Sequence, residues 1–331
     1  FFTILSEKEF MQSYSGIEKL LHDIVLSKKF INRSLLELEK IIYLKDKKIK
    51  NQEHVFITGL PRSGTTSLLN FIYSNNDYAS LTYKNMPFIL SPNLSKFFNK
   101  KEILKKERLH RDGIIFDINT PEALDEIFFD NNEDFIKKEL SNYLELILVS
   151  YNKDKYLSKN NLNYKRIDLI TEILPKSKFL IMIRDPLQHS YSLLNQHIHF
   201  CKLQKNNNFI RRYMNYLSHN EFGLDHRSWN NPINFNNFND LNYWIEQWDL
   251  FYQDILNKYF DHENCHFILY EQLTNFDYMK KLLKKINIVD SSNINLNYFK
   301  NFNKQIIESN FNTFAYQNAK QTYINFKNKS F

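Results

Sequence analysis

The sequence predicts an α/β fold, a three-layer sandwich with a central, mainly parallel sheet, helix-rich and with helical insertions. Three short apolar runs predict buried strands, at residues 55–58, 179–183 and 265–273. The first two runs lead directly into patterns with helical period, as in the βα units of parallel sheets. Because such sheets bind ligands at the carboxyl ends of their strands, we expect a site just after residues 58 and 183.

The first part of the chain is predicted to be a helical prologue, residues 1–48, packed on the core. The segments "SGIEKLLHDIVLSKKF" and "SLLELEKIIYLKDKK" repeat apolar residues at intervals of three and four, which predicts one helix in each. Residues 49–331 contain no internal repeat and no convincing linker. We therefore predict a single domain over that range.

Local signals place further helices after the second strand. Asp185 and Pro186 are a typical N-cap and first helical residue. A stripe at helical spacing predicts the buried face of a later helix, formed by Trp244, Trp248, Phe251 and Ile255. Residues 206–240 are rich in asparagine and aromatic residues and are predicted to form loops and short helices over the site.

The segment "HVFITGLPRSGTTSLLNF" carries the clearest binding signal, because Gly59 and Gly64 frame a tight turn between a strand and a helix. Backbone amides in such a turn, together with the positive end of the helix dipole, bind anions. The hydroxyls that add donors are those of Ser63, Thr65, Thr66 and Ser67. The fold is thus predicted to be a P-loop sandwich.

The loop departs from the nucleoside-triphosphate pattern at one position. Thr65 stands where that pattern has its lysine, and the cation lies inside the loop as Arg62. A transferring phosphoryl group usually needs a metal to neutralise its charge, whereas a sulfuryl group carries one negative charge that protein cations can balance. No predicted strand ends in a convincing magnesium-binding Asp, and Asp185 is explained as a helix cap. We expect no metal.

Composition sets limits on the class of protein. The 331 residues, 43% of them hydrophobic, are enough for one large α/β domain or two small ones. The net charge of +7 suits a polyanionic ligand, but the charged runs mix signs, so nucleic acid is not expected as a partner. Cys201 and Cys265 lack metal-like or disulfide spacing, which indicates a reducing compartment. With no signal peptide or membrane-spanning run, we expect a cytoplasmic protein without an integral membrane segment.

Two motifs together carry a family resemblance. "GLPRSGTTSLL" and "FLIMIRDPLQHSYSLLNQH" resemble the sulfotransferases that use 3′-phosphoadenosine 5′-phosphosulfate, and the resemblance extends over residues 55–273. It implies that the first motif binds the 5′-phosphosulfate. It also implies that Arg184 and Ser192, eight positions later, bind the 3′-phosphate. An arginine at a strand end and a serine about two helical turns on can both reach one phosphate.

Softer matches extend the resemblance. "ERLHRDGIIFDINTPEALDEIFF" and "YWIEQWDLFYQDI" are similar to a bacterial branch of sulfotransferases. "YLSKNNLNYKRIDLI" resembles the lysine-containing segment that precedes the second strand in protein-tyrosine and related sulfotransferases, which implies that Lys159 lies near the sulfuryl group. Tyr270 stands where family members often contact the adenine.

Two departures bear on the acceptor. The glycine-rich C-terminal motif of cytosolic small-molecule sulfotransferases is absent, since no glycine follows Gly223. The stretch "SNNDYASLTYKNMP" lacks the glutamate that serves as base in the tyrosyl-protein relatives. The acceptor is left open as a carbohydrate, lipid, peptide or small molecule.

The implied reaction is in-line attack of an acceptor hydroxyl or amine on sulfur, which leaves 3′,5′-diphosphoadenosine. Arg62 and Lys159 are the candidate cations for the leaving group. His110 is the first candidate base, because an imidazole titrates near neutral pH and its segment matches the bacterial branch. Glu122 and Asp112 compete with it, since a buried carboxylate with a raised pKa would serve as well. His197 is expected either to line the acceptor cleft or to pack between helices.

Two other functions stay open on the sequence alone. A nucleotide-dependent kinase with an aberrant loop would need ATP and magnesium, and the missing lysine counts against it. A catalytically silent relative would bind a nucleotide or polyanion without transferring a group.

Overall fold

A computed structural model describes residues 29–44, 53–97, 106–107, 115–207, 210–211, 214, 220–229, 235, 237–288, 294–299 and 311–330. The helices are α1 (Lys29–Tyr43), α2 (Thr65–Tyr73), α3 (Glu126–Phe129), α4 (Glu133–Tyr151), α5 (Ile167–Ile173), α6 (Pro186–Asn206), α7 (Leu241–Tyr259), α8 (Phe276–Lys285) and α9 (Thr313–Lys329). The strands are β1 (Val55–Thr58), β2 (Tyr78–Ala79), β3 (Lys106–Glu107), β4 (Ile115–Phe116), β5 (Lys155–Lys159), β6 (Lys178–Ile183) and β7 (Cys265–Leu269).

Short 3₁₀ turns connect several of these elements, at Tyr83–Asn85, Leu94–Phe97, Asn163–Arg166, Tyr270–Gln272 and Leu296–Tyr298. The chain divides into two compact units. Unit 1 comprises Phe1–Lys50 and Ala79–Tyr156, and unit 2 comprises Asn51–Tyr78 and Leu157–Phe331.

The central sheet has the strand order β2-β5-β1-β6-β7. Strand β1 pairs in parallel with β5 and β6, and β6 pairs in parallel with β7. A separate antiparallel pair joins β3 and β4. The predicted α/β fold with a mainly parallel sheet is therefore confirmed.

Helices cover both faces of the sheet in unit 2. Side chains of β1 and β6 on one face, such as Val55 and Met182, lie in a buried cluster with residues of α2 and α8. On the other face Phe56 stacks on Phe179 with centroids 5.3 Å apart, and Phe267 contacts Phe326 of α9. Alternate residues of each strand thus enter opposite layers, which explains why the strands read as continuous apolar runs.

The stripe predicted on α7 is in the core. Trp244, Trp248, Phe251 and Ile255 are all buried, and α7 packs against α6 and α9. The predicted cap is also present, since Asp185 Oδ1 accepts a hydrogen bond from Gln188 N at 2.9 Å and Pro186 begins the helix.

Unit 1 is held together by helices α1 and α4. Lys40 on α1 lies 2.7 Å from the buried carboxylate of Glu139 on α4. Phe128 stacks on Tyr143 with ring centroids 4.4 Å apart. Arg33 donates to Asn131 Oδ1 at 2.8 Å. The contacts of Lys40 and Arg33 join the start of the described chain to residues about a hundred positions later.

Some predicted boundaries need correction. The second predicted helix, at residues 34–48, is observed at Lys29–Tyr43, and the first falls largely outside the described residues. The third predicted strand ends at Leu269 rather than residue 273, because Tyr270–Gln272 turns into a 3₁₀ helix. Strands β2, β3, β4 and β5 were not predicted. The first three have only two residues each, and β5 ("KYLSK") carries three polar residues. Much of residues 206–240 lies outside the described chain.

Candidate functional site

The loop after β1 requires both of its glycines. Gly59 has φ 137°, and a Cβ there would lie 2.6 Å from the carbonyl oxygen of Met182 on the neighbouring strand β6. Gly64 has φ 96°, and its Cβ would lie 2.5 Å from Cδ2 of Tyr270. Both positions combine a left-handed backbone with close approach by a neighbour, which only glycine tolerates. The glycine spacing read from the sequence therefore has a steric cause.

Three consecutive carbonyls of the loop are bound by side chains. Leu60 O accepts from Ser63 Oγ at 2.7 Å, Pro61 O lies 2.7 Å from His189 Nε2, and Arg62 O accepts from Arg184 Nη1 at 3.2 Å. A carbonyl directed at an anion would repel it. Because these oxygens are committed to donors, the loop does not present them to a bound anion.

Two predicted phosphate ligands meet the loop arginine. Arg184 follows β6 directly, and Ser192 lies on α6. Arg62 Nε donates to Ser192 Oγ at 3.4 Å, while Arg184 donates to the Arg62 carbonyl. The structure thus brings Arg62, Arg184 and Ser192 into one connected group at the carboxyl ends of β1 and β6.

Tyr270 forms a wall of the same group. Its ring lies against Gly64, and the Arg184 guanidinium lies over the ring, 4.7 Å from the centroid. This stacking orients the guanidinium and is a cation–π contact. Burial raises the pKa of Tyr270, and the nearby Arg184 opposes that rise.

The start of α2 faces the loop. Gly64 is its N-cap and offers no side-chain cap, and the first helical bond runs from Leu68 N to Gly64 O at 3.0 Å. The first amides of a helix have no helical acceptor and favour an anion. Thr65 and Thr66 are 3% and 7% exposed, and Thr65 Oγ1 lies 3.5 Å from Asn161 Oδ1. Ser67 lies one position further on and is half-buried.

Lys159 ends strand β5, next to β1. It is paired in register with Ile57, two residues before the loop, and it is 9% exposed. The chain then turns along β1, where Asn160 N donates to Ile57 O at 3.1 Å and Asn163 Nδ2 donates to the same oxygen. Lys159 is therefore placed at the same sheet edge as the loop.

The sequence did not identify several residues that hold this edge together. They are His189, Asn161, Asn163, Trp248 and Glu271. Glu271 accepts from Asp185 N at 2.8 Å and from Tyr323 OH at 2.6 Å, which ties helix α9 to the residue after Arg184. His189 had a weak signal, because it lies inside the Arg184 to Ser192 motif. Asn161 and Asn163 lie in the quoted lysine-containing segment and Trp248 in the predicted stripe, but none of them was assigned a role at this edge, and Glu271 had no signal.

The candidate bases are less defined. His110 and Asp112 fall outside the described residues. Glu122 belongs to unit 1, where its carboxylate accepts from Tyr83 OH at 3.2 Å and from Ala123 N at 2.9 Å.

His197 packs between helices. It is 3% exposed, its Nδ1 accepts from Gly223 N at 3.3 Å, and its ring contacts those of Trp244 and His226. Burial lowers its pKa to about 4. Of the two roles left open by the sequence, these contacts favour packing.

The described residues include neither a membrane-spanning helix nor a metal-binding cluster. No helix among them is both long and apolar enough to cross a membrane. No group of three or more His, Cys, Asp or Glu side chains there could hold a metal ion.

A comparison with protein families assigns the chain to one of them. A family model for the "Sulfotransferase family" matches residues 54–220. Sulfotransferase STF1 from Mycobacterium tuberculosis is 12% identical, with 84% of this chain and 79% of that chain covered and a TM-score of 0.47. Sulfotransferase STF9 from Mycobacterium avium is 12% identical, with 82% of this chain and 73% of that chain covered and a TM-score of 0.44. A sulfotransferase from Alicyclobacillus acidocaldarius is 13% identical, with 84% of this chain and 92% of that chain covered and a TM-score of 0.36. A search of curated sequences gives no match.

Proposed function

The chain belongs to the sulfotransferase family, and on that premise we propose that it transfers the sulfuryl group of 3′-phosphoadenosine 5′-phosphosulfate to a hydroxyl or amine acceptor. The acceptor oxygen or nitrogen attacks sulfur in line as the bond from sulfur to the 5′-phosphate oxygen breaks. The acceptor proton passes to a base, and 3′,5′-diphosphoadenosine leaves.

One observation carries the proposal, the connected group of Arg62, Arg184 and Ser192 beside the glycine loop. A donor with phosphates at both its 5′ and 3′ positions needs two anion sites at a fixed separation. The loop and the start of α2 supply one, and Arg184 with Ser192 on the next strand and helix supply the other. An ordinary nucleoside triphosphate carries no 3′-phosphate for the second site.

The roles of the residues follow from their positions and charges. Gly59, Ser63, Gly64, Thr65, Thr66 and Ser67 would hold the 5′-phosphosulfate by backbone amides and hydroxyls. Arg62 and Lys159 would stabilise charge on the leaving oxygen, which no metal is needed to balance. Tyr270 would form the wall beside the adenine. His110 or Glu122 would take the acceptor proton.

The decisive experiment is a calorimetric titration of the protein with 3′,5′-diphosphoadenosine, with and without EDTA, and with ATP plus magnesium. We expect binding that is independent of metal and stronger for the diphosphoadenosine. Arg184→Ala should weaken it at least about tenfold, because a charge-assisted hydrogen bond of ~1.5–3 kcal/mol is lost. Lys258→Ala is the matched control, since this exposed lysine forms an ion pair with Asp254 near the end of α7.

Three results would contradict the proposal. Preference for ATP with magnesium would indicate a kinase, and no binding of either nucleotide would mean that the proposed donor site is wrong. Tight binding without transfer to any acceptor would leave the donor site correct and the enzyme assignment wrong.

We further propose a reducing, cytoplasmic location, because Cys201 and Cys265 are free thiols.

A further inference from the structure

His189 lies on the first turn of α6, and both nitrogens of its ring are engaged. The residue is fully buried. Its Nε2 lies 2.7 Å from Pro61 O, and Trp248 Nε1 lies 3.1 Å from its Nδ1. A carbonyl can only accept and an indole N–H can only donate. The ring proton must therefore lie on Nε2, and the two contacts define one neutral tautomer.

The contact with Pro61 determines the direction of the next amide. The peptide bond from Pro61 to Arg62 is trans, so the Pro61 oxygen and the Arg62 N–H point to opposite sides of one plane. With the oxygen bound by His189, the N–H points away from His189. Arg62 has φ 71°, a conformation that a residue with a side chain keeps only when its surroundings hold it. Its own carbonyl is bound by Arg184.

We infer that His189 is a positioning residue of the anion site, which holds the Pro61 carbonyl away from the bound phosphate or sulfate and directs the Arg62 amide toward it. Trp248 fixes the tautomer that makes this possible. The inference rests on the proposed function only for the identity of the anion.

The electrostatic surroundings keep the ring in this state. Burial lowers the pKa of His189 to about 3, and the charges of Arg184 and Arg62 act in the same direction. A charged ring would place an N–H at Nδ1, directly against the indole N–H of Trp248. The hydrogen bond to Pro61 is therefore present across the whole neutral range, and the loop geometry should not change with pH there.

Three variants separate positioning from simple packing. His189→Phe keeps a ring but removes the donor, whereas His189→Gln keeps a donor and an acceptor. Ser190→Ala is the matched control, because Ser190 is equally buried on the same helix and donates to Trp244 O rather than to the loop. Affinity is measured by calorimetry for 3′,5′-diphosphoadenosine and for inorganic pyrophosphate, at a temperature where every variant is folded.

We expect His189→Phe to weaken both ligands about tenfold, the usual cost of one lost and unreplaced buried hydrogen bond. His189→Gln should stay within about threefold of the wild type, and Ser190→Ala should not change affinity. The Arg62 amide resonance should shift on addition of pyrophosphate in the wild type and the Gln variant but not in the Phe variant. If His189→Phe does not fold, Trp248→Phe replaces it, with a mixture of His189 tautomers and an intermediate loss of affinity expected.

A ligand-free measurement completes the test. A long-range ¹H–¹⁵N spectrum of the imidazole should show the proton on Nε2. A proton on Nδ1, or a Phe variant that binds as tightly as the wild type, overturns the inference. Wild-type binding of pyrophosphate but not of the diphosphoadenosine overturns the proposed function and leaves this inference intact. Absence of both overturns both.

Discussion

The two compact units differ in the side chains that bind their backbone groups: in unit 2 side-chain donors bind loop carbonyls, and in unit 1 a carboxylate accepts from a backbone amide. In unit 2, a neutral histidine and a cationic arginine donate to carbonyls of the loop, at Pro61 and Arg62. In unit 1, the carboxylate of Glu39 accepts from Leu94 N at 2.6 Å and from Asn93 Nδ2 at 3.3 Å. Donors that bind carbonyls leave the opposite face of a peptide electropositive, as an anion site needs, whereas an acceptor that binds an amide does not.

The difference extends to the response to pH. Burial lowers the pKa of His189 in unit 2, and it raises the pKa of Glu39 in unit 1 from 4.5 to about 7. Both shifts favour the neutral form of a buried group. Because one group is a base and the other an acid, the two units should lose stability in opposite directions of pH.

The largest expected effect is acid unfolding of unit 2. Four histidines among the described residues of unit 2 are buried, and burial lowers their pKa values from 6.5 to about 3 or 4; they are His54, His189, His197 and His226. A lowered folded pKa gives stability that is complete above pH 6.5 and is lost as pH falls toward 4, up to about 3 kcal/mol for each group. Tryptophan fluorescence reports this directly, since all three tryptophans, Trp229, Trp244 and Trp248, belong to unit 2.

The variant His54→Gln sharpens this prediction. Between pH 6.5 and 4, it should reduce the slope of unfolding free energy against pH. The reduction should correspond to at most about one proton fewer bound on unfolding. A fluorescence signal that stays native down to pH 4 would contradict the assignment of these histidines as neutral.

The next largest effect is the pH dependence of Glu39 in unit 1. Its folded pKa is raised, so its contribution is complete below pH 4.5 and is lost as pH rises through about 7. Relative to Glu39→Gln, the wild type should therefore lose about 3 kcal/mol between pH 4.5 and 8. Native-state hydrogen exchange of the α1 amides, corrected for intrinsic rates, measures this difference. A pH-independent difference between the two proteins would remove the contrast between the units.

A smaller effect tests the steric side of the loop. Gly64→Ala places a methyl group against Tyr270 at a left-handed position, at a cost of about 1–3 kcal/mol for the backbone alone. We expect a loss of affinity for 3′,5′-diphosphoadenosine of at least about tenfold by calorimetry. Gly223→Ala is the matched control, because φ there is also positive, at 90°, but the added methyl group would contact the side chain of Gln204 and not the loop. Equal losses of affinity in both variants would mean that strain, and not the loop, sets the effect.

The smallest effect concerns the surface of unit 1. Lys137 and Glu133 form an exposed pair one turn apart on α4, at 3.0 Å. Lys137→Ala should change the free energy of unfolding by less than about 0.5 kcal/mol. Lys40→Ala should cost more, because it removes the nearer lysine of the buried Glu139, at 2.7 Å, and leaves Lys138 at 3.8 Å. Thermal unfolding followed by circular dichroism ranks the two, and the reverse order would show that burial does not govern ion pairs in this unit.

Much of the sheet edge could be predicted from the sequence because its signals are local. The run at Val55–Thr58, the glycine spacing and the Asp185 cap each depend on a few adjacent residues. Strand β5 gave no such signal, since "KYLSK" has too few apolar residues, and its pairing with β1 and β2 in the sheet makes it a strand. The base candidates His110 and Glu122 rest on residue type and stay predictions.

The sequence by itself determined the class of fold, and it predicted an anion site at the glycine loop and at the pair Arg184 and Ser192, because spacing along one strand and one helix fixes which side chains can reach a common point. Only the tertiary structure decided what holds the loop in place. His189, Trp248 and Pro61 come from three different elements, and their hydrogen bonds depend on how α6 and α7 pack beside β6. Such contacts follow from the packing of whole helices, which leaves no periodic trace in the residues themselves.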